Sequence, residues 1–431
     1  MKKLSRRDFL KFGSAAAASA TLGLSPFGSM LTSAQDAELS LQTWGHFISS
    51  SNDLLTSLVN SWAASSGTSV EINYTGFNQL ADTLATGAAT GAGPDLIMML
   101  HARPHQFSEA LLDVSDVVEE VGEANGGWYG IAEEACKVDG VWRSMPWFLA
   151  AHAMVYRTDL FAEAGYDTFP ETWDDLLVAG TALKEMGAPL GFSVGRADGD
   201  GNNFCYSLLW SFGGAVTDAD DNIVLDSPET RAALEFVQQL YNDAMIDSVI
   251  TWDDGANNRA FLAGEVSCTN NASSILWAGR RDGIEFMSST NHASYPSGPA
   301  GLLQFSQVHS VGVMNYAADP DAAKDLLRYI NSPQVWQPMG LNTFAFNYPL
   351  FQNYEDDPSM PWNFDPALGA FRGLPETGHT MGFPGNPSAA ASEVASSFVI
   401  TDMFGSVCAG AASIDEAIET AIEQIEDIYS S

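Results

Sequence analysis

The apolar pattern predicts an α/β fold built on a parallel sheet, and three observations carry that reading. Leu39-Ser40-Leu41-Gln42-Thr43 alternates as a half-buried strand does, and Val70, Ile72 and Tyr74 alternate again. Between them Leu54, Leu55, Leu58, Val59 and Trp62 recur at helical spacing. Leu96 to Leu100 is a continuous apolar run, short enough for a strand buried on both faces. Strand–helix–strand–helix–strand within about sixty residues is the βαβ signature, and its ligand surface is expected beyond the carboxyl ends of the strands.

Each further element has its own local cause. Gly76-Phe77-Asn78 turns the second strand into a helix carrying Leu80 and Leu84. Ser227-Pro228 opens a helix with Ala233, Val237, Leu240 and Tyr241 on one face. Asp319-Pro320 opens one with Ala323, Leu326, Leu327 and Ile330, and Ser332-Pro333 opens the next. Near the C-terminus Ser413 and Glu416 form a capping box before Ile414, Ala417, Ile418, Ala421, Ile422 and Ile425. Trp62 and Trp336 fall on helical faces and are assigned to the core. The longest irregular stretches are 195–203, rich in Gly, Asn and Asp, and 373–388, rich in Pro and Gly. Irregular segments of that length inside a domain more often serve function than connection.

Composition bounds the function. The 431 residues hold 18 Lys+Arg against 54 Asp+Glu, a net charge of −36. So few cations cannot neutralise a phosphate backbone, which excludes general nucleic-acid binding. The length suggests two or three domains. Four scattered cysteines without a CxxC pair exclude a disulfide-dense scaffold and a structural zinc site of the usual spacing. Cys205 and Cys268 are open to either pairing or free burial.

Ser5-Arg6-Arg7-Asp8-Phe9-Leu10-Lys11, followed by a mild apolar run to Leu24, fits a twin-arginine export signal. Thr32-Ser33-Ala34 supplies small residues for cleavage after Ala34, so residues 1–34 are read as the signal peptide. No Cys follows, so no lipid anchor is expected there, and the mature chain should be soluble, exported to the periplasm or beyond. It would retain three lysines, Lys137, Lys184 and Lys324. Such an acidic surface maintains solubility and suits a saline habitat.

Three rival motifs lose on chemistry. Gly191-Phe192-Ser193-Val194-Gly195 matches a nucleophile elbow, but the helix that must follow the serine is replaced by a loop, so the five residues are read as one buried strand. Asp218-x-Asp220-x-Asn222 imitates a calcium loop, yet Ile223 stands where the sharp turn needs Gly; a hairpin turn and helix cap are expected instead. His101 and His105 are four apart but separated by Pro104, with no third metal ligand evident.

Four patches carry a family resemblance. They are Gly76-Phe77-Asn78-Gln79-Leu80 with Gly93-Pro94-Asp95-Leu96-Ile97-Met98; Pro146-Trp147 leading to Met154-Val155-Tyr156-Arg157-Thr158-Asp159-Leu160-Phe161 and Pro170-Glu171-Thr172-Trp173; Arg259-Ala260-Phe261-Leu262-Ala263-Gly264-Glu265; and Ala322-Ala323-Lys324-Asp325-Leu326-Leu327-Arg328-Tyr329-Ile330-Asn331-Ser332-Pro333. In order and spacing they resemble the family-1 extracellular solute-binding proteins of ABC importers, the maltose-binding-protein-like class. The resemblance implies a type II periplasmic-binding-protein fold. Two α/β lobes, each a mostly parallel sheet flanked by helices, would enclose a ligand cleft. The implied lobes are 38–146 plus 306–347 and 147–305 plus 348–431.

The resemblance further implies a receptor, not an enzyme, that closes around a mono- or oligosaccharide or polyol and delivers it to membrane permease subunits. It implies a monomer, with no cofactor and no metal. Ligand-contact candidates lie in loops at strand ends: Trp44 and His46; Phe77, Asn78 and Gln79; His101 and Arg103; Trp147 and Phe148; Asn202, Asn203 and Phe204; Asn270, Asn271 and Ser273; and His309. Aromatic faces would meet apolar C–H surfaces of a sugar, and amides its hydroxyls. A phosphorylated solute such as a glycerol-phosphate compound, a cationic one such as a polyamine, and a secreted hydrolase are the alternatives.

Overall fold

Leu39, Leu41 and Thr43 turn one face of the first strand into the core, and the rest of the architecture is laid against that face. The computed structural model describes residues 38–430. The export signal and its expected cleavage point lie outside the described residues. In chain order the strands are β1 Glu38–Trp44, β2 Ser69–Thr75, β3 Leu96–Leu100, β4 Lys137–Val138, β5 Val141–Trp142, β6 Met145–Ala150 and β7 Ala153–Arg157. They continue with β8 Cys268–Asn271, β9 Thr290–Ala293, β10 Gln304–Phe305, β11 Gln307–Val313, β12 Asn347–Pro349 and β13 Gly378–His379. Helix α1, Ser50–Ser66, and helix α2, Phe77–Thr90, make the crossovers β1–α1–β2 and β2–α2–β3.

Two sheets organise the chain: one of six strands, ordered β12-β6-β11-β3-β1-β2, and one of three, ordered β8-β7-β9. The expected α/β architecture is present, with a correction to strand direction. Within these two sheets parallel pairing is confined to β1, β2 and β3; of the two-stranded sheets, β10–β13 is parallel and β4–β5 antiparallel. β11 runs antiparallel to both β3 and β6, and β12 antiparallel to β6, while every pair in the smaller sheet is antiparallel. The parallel part is the part whose βαβ periodicity is continuous in sequence. The later strands arrive from distant segments and pair by burial alone, which local pattern does not encode.

Pro146 lies within β6 opposite β11, beyond the stretch that β12 pairs, and has no N–H to donate. The β6–β11 register accommodates it by a shift between His309 and Ser310, with Phe148 opposite His309 and Pro146 opposite Ser310. A bulge of this kind bends a strand and re-aims its side chains. Chain passage from the larger sheet to the smaller occurs at Ala151–His152, between β6 and β7.

Helix ends follow their capping chemistry. Ser227 Oγ accepts from Thr230 N–H at 3.1 Å at the start of helix Pro228–Ala244, and Asp319 Oδ1 accepts from Ala322 N–H at 3.0 Å at the start of Pro320–Ile330. The Ser413–Glu416 box closes both ways over helix Ile414–Tyr429. Trp62 and Trp336 are core residues, and Trp62 donates from Nε1 to Asp325 at 3.0 Å. Asp218 Oδ1 accepts from the backbone N–H groups of Asp220 and Asn222, and Thr217 bridges Ile223, so the calcium-like motif is a hairpin turn.

The buried strand expected at 191–195 is absent. Residues 191–194 are buried but form no strand; pairing is limited to Leu190, which bridges Met245 and Cys268, and to isolated bonds from Gly191 and Val194. The segment lies too close to Trp252 for side chains: a Cβ on Gly191 would come within 2.5 Å of the indole, and one on Gly195 within 2.7 Å of the Trp252 carbonyl. Among the described residues no helix is long and apolar enough to cross a membrane.

Asp95 joins three segments. Its Oδ2 accepts from Ser40 N–H at 2.9 Å and Ser40 Oγ at 2.7 Å, and its Oδ1 from Ala318 N–H at 2.9 Å. Asp95→Ala should lower the unfolding free energy by about 2–4 kcal/mol in urea denaturation, since charged hydrogen bonds are lost and their donors left without the carboxylate. All four cysteines are free and buried. Titration of the denatured protein without reductant should therefore find four reactive thiols.

Candidate functional site

The ends of β1 and β3 open onto the same region as the middle of β11, and the ring-bearing residues there form one wall. Trp44 stacks on Phe77 with centroids 4.6 Å apart and planes 20° from parallel. His309 stacks on Phe148 at 4.3 Å and 15°, and lies 6.1 Å from Trp44 and 6.0 Å from Phe77. Trp147, the residue left unpaired by the β6 register shift, lines a narrow crevice of about 10 Å³ with Trp44, His46, Phe148 and Asn347. His46 Nδ1 accepts from Ile48 N–H at 2.9 Å, so Nε2 carries the proton and donates to Asn347 Oδ1 at 2.9 Å. Burial lowers the His46 pKa to about 4, leaving a neutral ring at physiological pH.

Against β11, with Gly199 next to the Gln307 amide, lies the 195–203 loop, which enters helix Asp200–Ser211. Asp254 shapes it: Oδ2 accepts from Asp198 N–H at 3.2 Å, and Oδ1 from Gly199 at 2.8 Å and Asp200 at 3.0 Å. The loop in turn presents two buried carboxylates to the larger sheet. Asp198 Oδ2 accepts from Arg103 Nη2 at 3.0 Å, and Asp198 Oδ1 lies 3.4 Å from His101 Nε2. Asp200 Oδ1 lies 3.4 Å from Nε2 of His152, the residue at the passage between sheets. His101 reaches this position through a left-handed backbone, φ +56°, at the end of β3. Arg103 follows on the short helix α3, Arg103–Gln106.

The three carboxylates respond differently to one environment. Burial pushes Asp198 upward, but the Arg103 guanidinium and His101 outweigh it and hold the group well below the usual carboxylate range. Asp200 is raised, chiefly by burial, with His152 opposing. Asp254 is raised to about 8 by burial and by the charges of Asp200 and Asp198, so it is largely protonated at neutral pH. His309 is driven well below its ordinary value by burial and then by His101, His46 and His152. Among the described residues no group of three His, Cys, Asp or Glu is placed to hold a metal ion.

The sequence-derived candidates divide into two sets. Trp44, His46, Phe77, His101, Arg103, Trp147, Phe148 and His309 gather around the wall and the charged junction. The amides, by contrast, are largely engaged by the protein itself, although Asn270 Oδ1 has no partner among the described residues. Asn202 Oδ1 accepts from Thr401, and its Nδ2 donates to the carbonyls of Asp198 and Ala395. Asn203 Nδ2 donates to Phe305 O at 2.7 Å and its Oδ1 accepts from Tyr295. Asn270 and Asn271 sit within β8, not after it; Asn270 donates to Asp200 O at 3.0 Å, and Asn271 bonds Asn258 and Ser274. Ser273 Oγ donates to Thr343 O at 3.1 Å. Phe204 stacks on Phe192 in the core, and exposed Gln79 caps α2 through Gly76 N–H. Asn78 lies in the first turn of the same helix.

Sequence reasoning passed over His152, Asp198, Asp200, Asp254, Gln307 and Asn347. Two of these acids lie inside the irregular 195–203 stretch already marked as unusual, and that was their signal. Gln307 and Asn347 carry no local signal, because only strand pairing brings them here.

The model of the bacterial extracellular solute-binding protein family matches residues 49–337, more than half of the chain. Residues 3–23 match the TAT (twin-arginine translocation) pathway signal sequence. The chain is 27% identical over 257 residues to a probable ABC transporter-binding protein of Deinococcus radiodurans, covering 57% of this chain and 60% of that one. It is 24% identical over 137 residues to the diacetylchitobiose binding protein of Streptomyces coelicolor, covering 31% and 32%. The matches thus span about 60% and about a third of the lengths of these two relatives. In fold the chain is similar to maltose-bound MalE3 of T. maritima, with TM-score 0.79 and 22% identity over 91% of this chain and 100% of that one. It is likewise similar to a sugar transporter protein from Arthrobacter chlorophenolicus with bound laminaribiose, with TM-score 0.78 and 17% identity over 91% and 99%. With its twin-arginine signal, the chain is an exported member of the bacterial extracellular solute-binding protein family.

Proposed function

We propose that this protein is a receptor that closes around a mono- or oligosaccharide or polyol and presents it to the permease subunits of an ABC importer. One observation carries the reading: a wall of stacked rings, Trp44, Phe77, Phe148 and His309, stands beside a loop, packed on β11 at Gln307, whose carboxylates Asp198 and Asp200 are tied to Arg103, His101 and His152. Ring faces suit the apolar side of a sugar, and convergent polar groups suit its hydroxyls. Relatives in fold with bound maltose and laminaribiose support the same class.

The lobes in this reading are 38–146 plus 306–347 and 147–305 plus 348–431, hinged where β6, β10–β11 and β12 run. Opening separates the Asp198 loop from the end of β3, and a ligand that touches both sides favours closure by its differential affinity. The ligand leaves unchanged, and no catalytic group is required. A cationic solute is the second reading, favoured by three carboxylates facing one guanidinium.

Thermal-shift titration with maltose, laminaribiose, diacetylchitobiose and ribitol tests the class. At least one should raise the melting midpoint, by about 2.7 kcal/mol of stabilisation at a hundredfold excess over its dissociation constant. Chromatography should recover it intact. A midpoint that moves only with glycerol 3-phosphate or only with spermidine, or a ligand converted to product, refutes the saccharide receptor. Asp198→Ala strands a buried guanidinium and should lower the stability of the ligand-free protein by about 3–5 kcal/mol. Adding Arg103→Met should restore much of that loss, as a double-mutant cycle in urea would show.

A further inference from the structure

On β11, Gln307 and His309 point to the same face, two residues and so about 7 Å apart. Gln307 is 2% exposed and His309 0%. Yet Gln307 Nε2 and both ring nitrogens of His309 have no hydrogen-bond partner among the described residues. Leaving such groups unbonded inside a protein costs free energy that an apolar residue would avoid. The surroundings account for where they point. Phe148 covers one face of the His309 ring, with Trp44 and Phe77 at its flank. The Gln307 amide lies against Gly199, where a Cβ would approach its Oε1 to 3.3 Å, in the loop that carries Asp198 and Asp200.

We propose that this strand face is the docking floor for an uncharged, hydroxyl-bearing end of the ligand, and that the site discriminates against anionic solutes. The proposal rests on the receptor reading above and adds the ligand's charge class and the two residues that read it. A neutral imidazole offers one donor and one acceptor, and a carboxamide offers both as well; a hydroxyl can satisfy either partner from either side. The burial that depresses His309 keeps its ring neutral, so it supplies no positive charge to an anion. Arg103, the permanent cation of the junction, is already held by Asp198, and Asp200, two residues further along the same loop, lies against His152. A phosphate or a uronic carboxylate would meet these acids without a free cation to offset them.

The test pairs ligand-free stability with binding. Gln307→Leu and His309→Phe remove hydrogen-bonding capacity while retaining bulk. Both variants should melt at or above the parent without ligand, because an unmatched buried group is gone, yet bind maltose or ribitol at least tenfold more weakly. His309→Gln, which restores a donor and an acceptor, should recover part of that affinity. Glucose 6-phosphate and glucuronate should bind more weakly than their neutral counterparts. The assignment is overturned if both apolar variants melt below the parent, if they bind as the parent does, or if an anionic probe binds best. Should spermidine alone bind, both this assignment and the saccharide reading fall. Should no probe bind, the saccharide reading falls on its own, and the ligand-free melting of the two variants still decides whether the strand face is a docking floor.

Discussion

Three buried or half-buried carboxylates, Asp198, Asp200 and Asp254, crowd one loop, and the arrangement of the site follows from how their charge is offset. An unpaired ion in such surroundings is costly enough that each must acquire a partner or a proton. Asp198 takes Arg103 and His101 from the end of β3; Asp200 takes His152 from the passage between sheets. Asp254 has no cation, accepts three backbone N–H groups and retains its proton to about pH 8. Two of the three solutions reach across from the smaller sheet's loop to residues at or just beyond strands of the larger sheet. The same bonds that neutralise the loop therefore set its position against the ring wall.

The wall depends on a backbone irregularity. Pro146 in β6 cannot complete a regular ladder, and the register shift opposite it leaves Phe148 facing His309 at stacking distance. Neutral histidines complete the surface: His46 is fixed by Ile48 and Asn347, and His309 by its contact with Phe148. A protein so acidic overall thus builds this interior from the uncharged imidazoles of His46 and His309, one guanidinium and tied carboxylates. The net charge of −36 belongs to the surface and says little about the site.

Legibility varied with the range of the interactions involved. The β1–α1–β2–α2–β3 segment and the Ser227, Asp319 and Ser413 helix starts were readable because their causes lie within a few residues: alternation, helical spacing, a capping side chain, a proline at the first turn. His101 and Arg103 were readable because they follow an unmistakable buried strand. The surroundings of the asparagines were not legible, for the opposite reason. Asn202, Asn203, Asn270 and Asn271 have the chemistry a sugar needs, but buried backbone carbonyls and hydroxyls take up most of their amide groups, and nothing local reveals those partners. The segment 191–195 misled because alternating composition resembles a strand until Trp252 is known to press against its glycines.

What the sequence by itself determined was the α/β class, the helix boundaries, the export signal and the family likeness, all of which rest on short-range pattern or on residues in fixed order. Tertiary structure alone decided strand direction beyond β3, the joining of Asp198 to Arg103 and His101 across some hundred residues of chain, and the burial of Gln307 and His309 without partners. The reason is physical: periodicity encodes which face of an element avoids water, whereas a hydrogen bond or ion pair between distant segments exists only after those faces have been brought together.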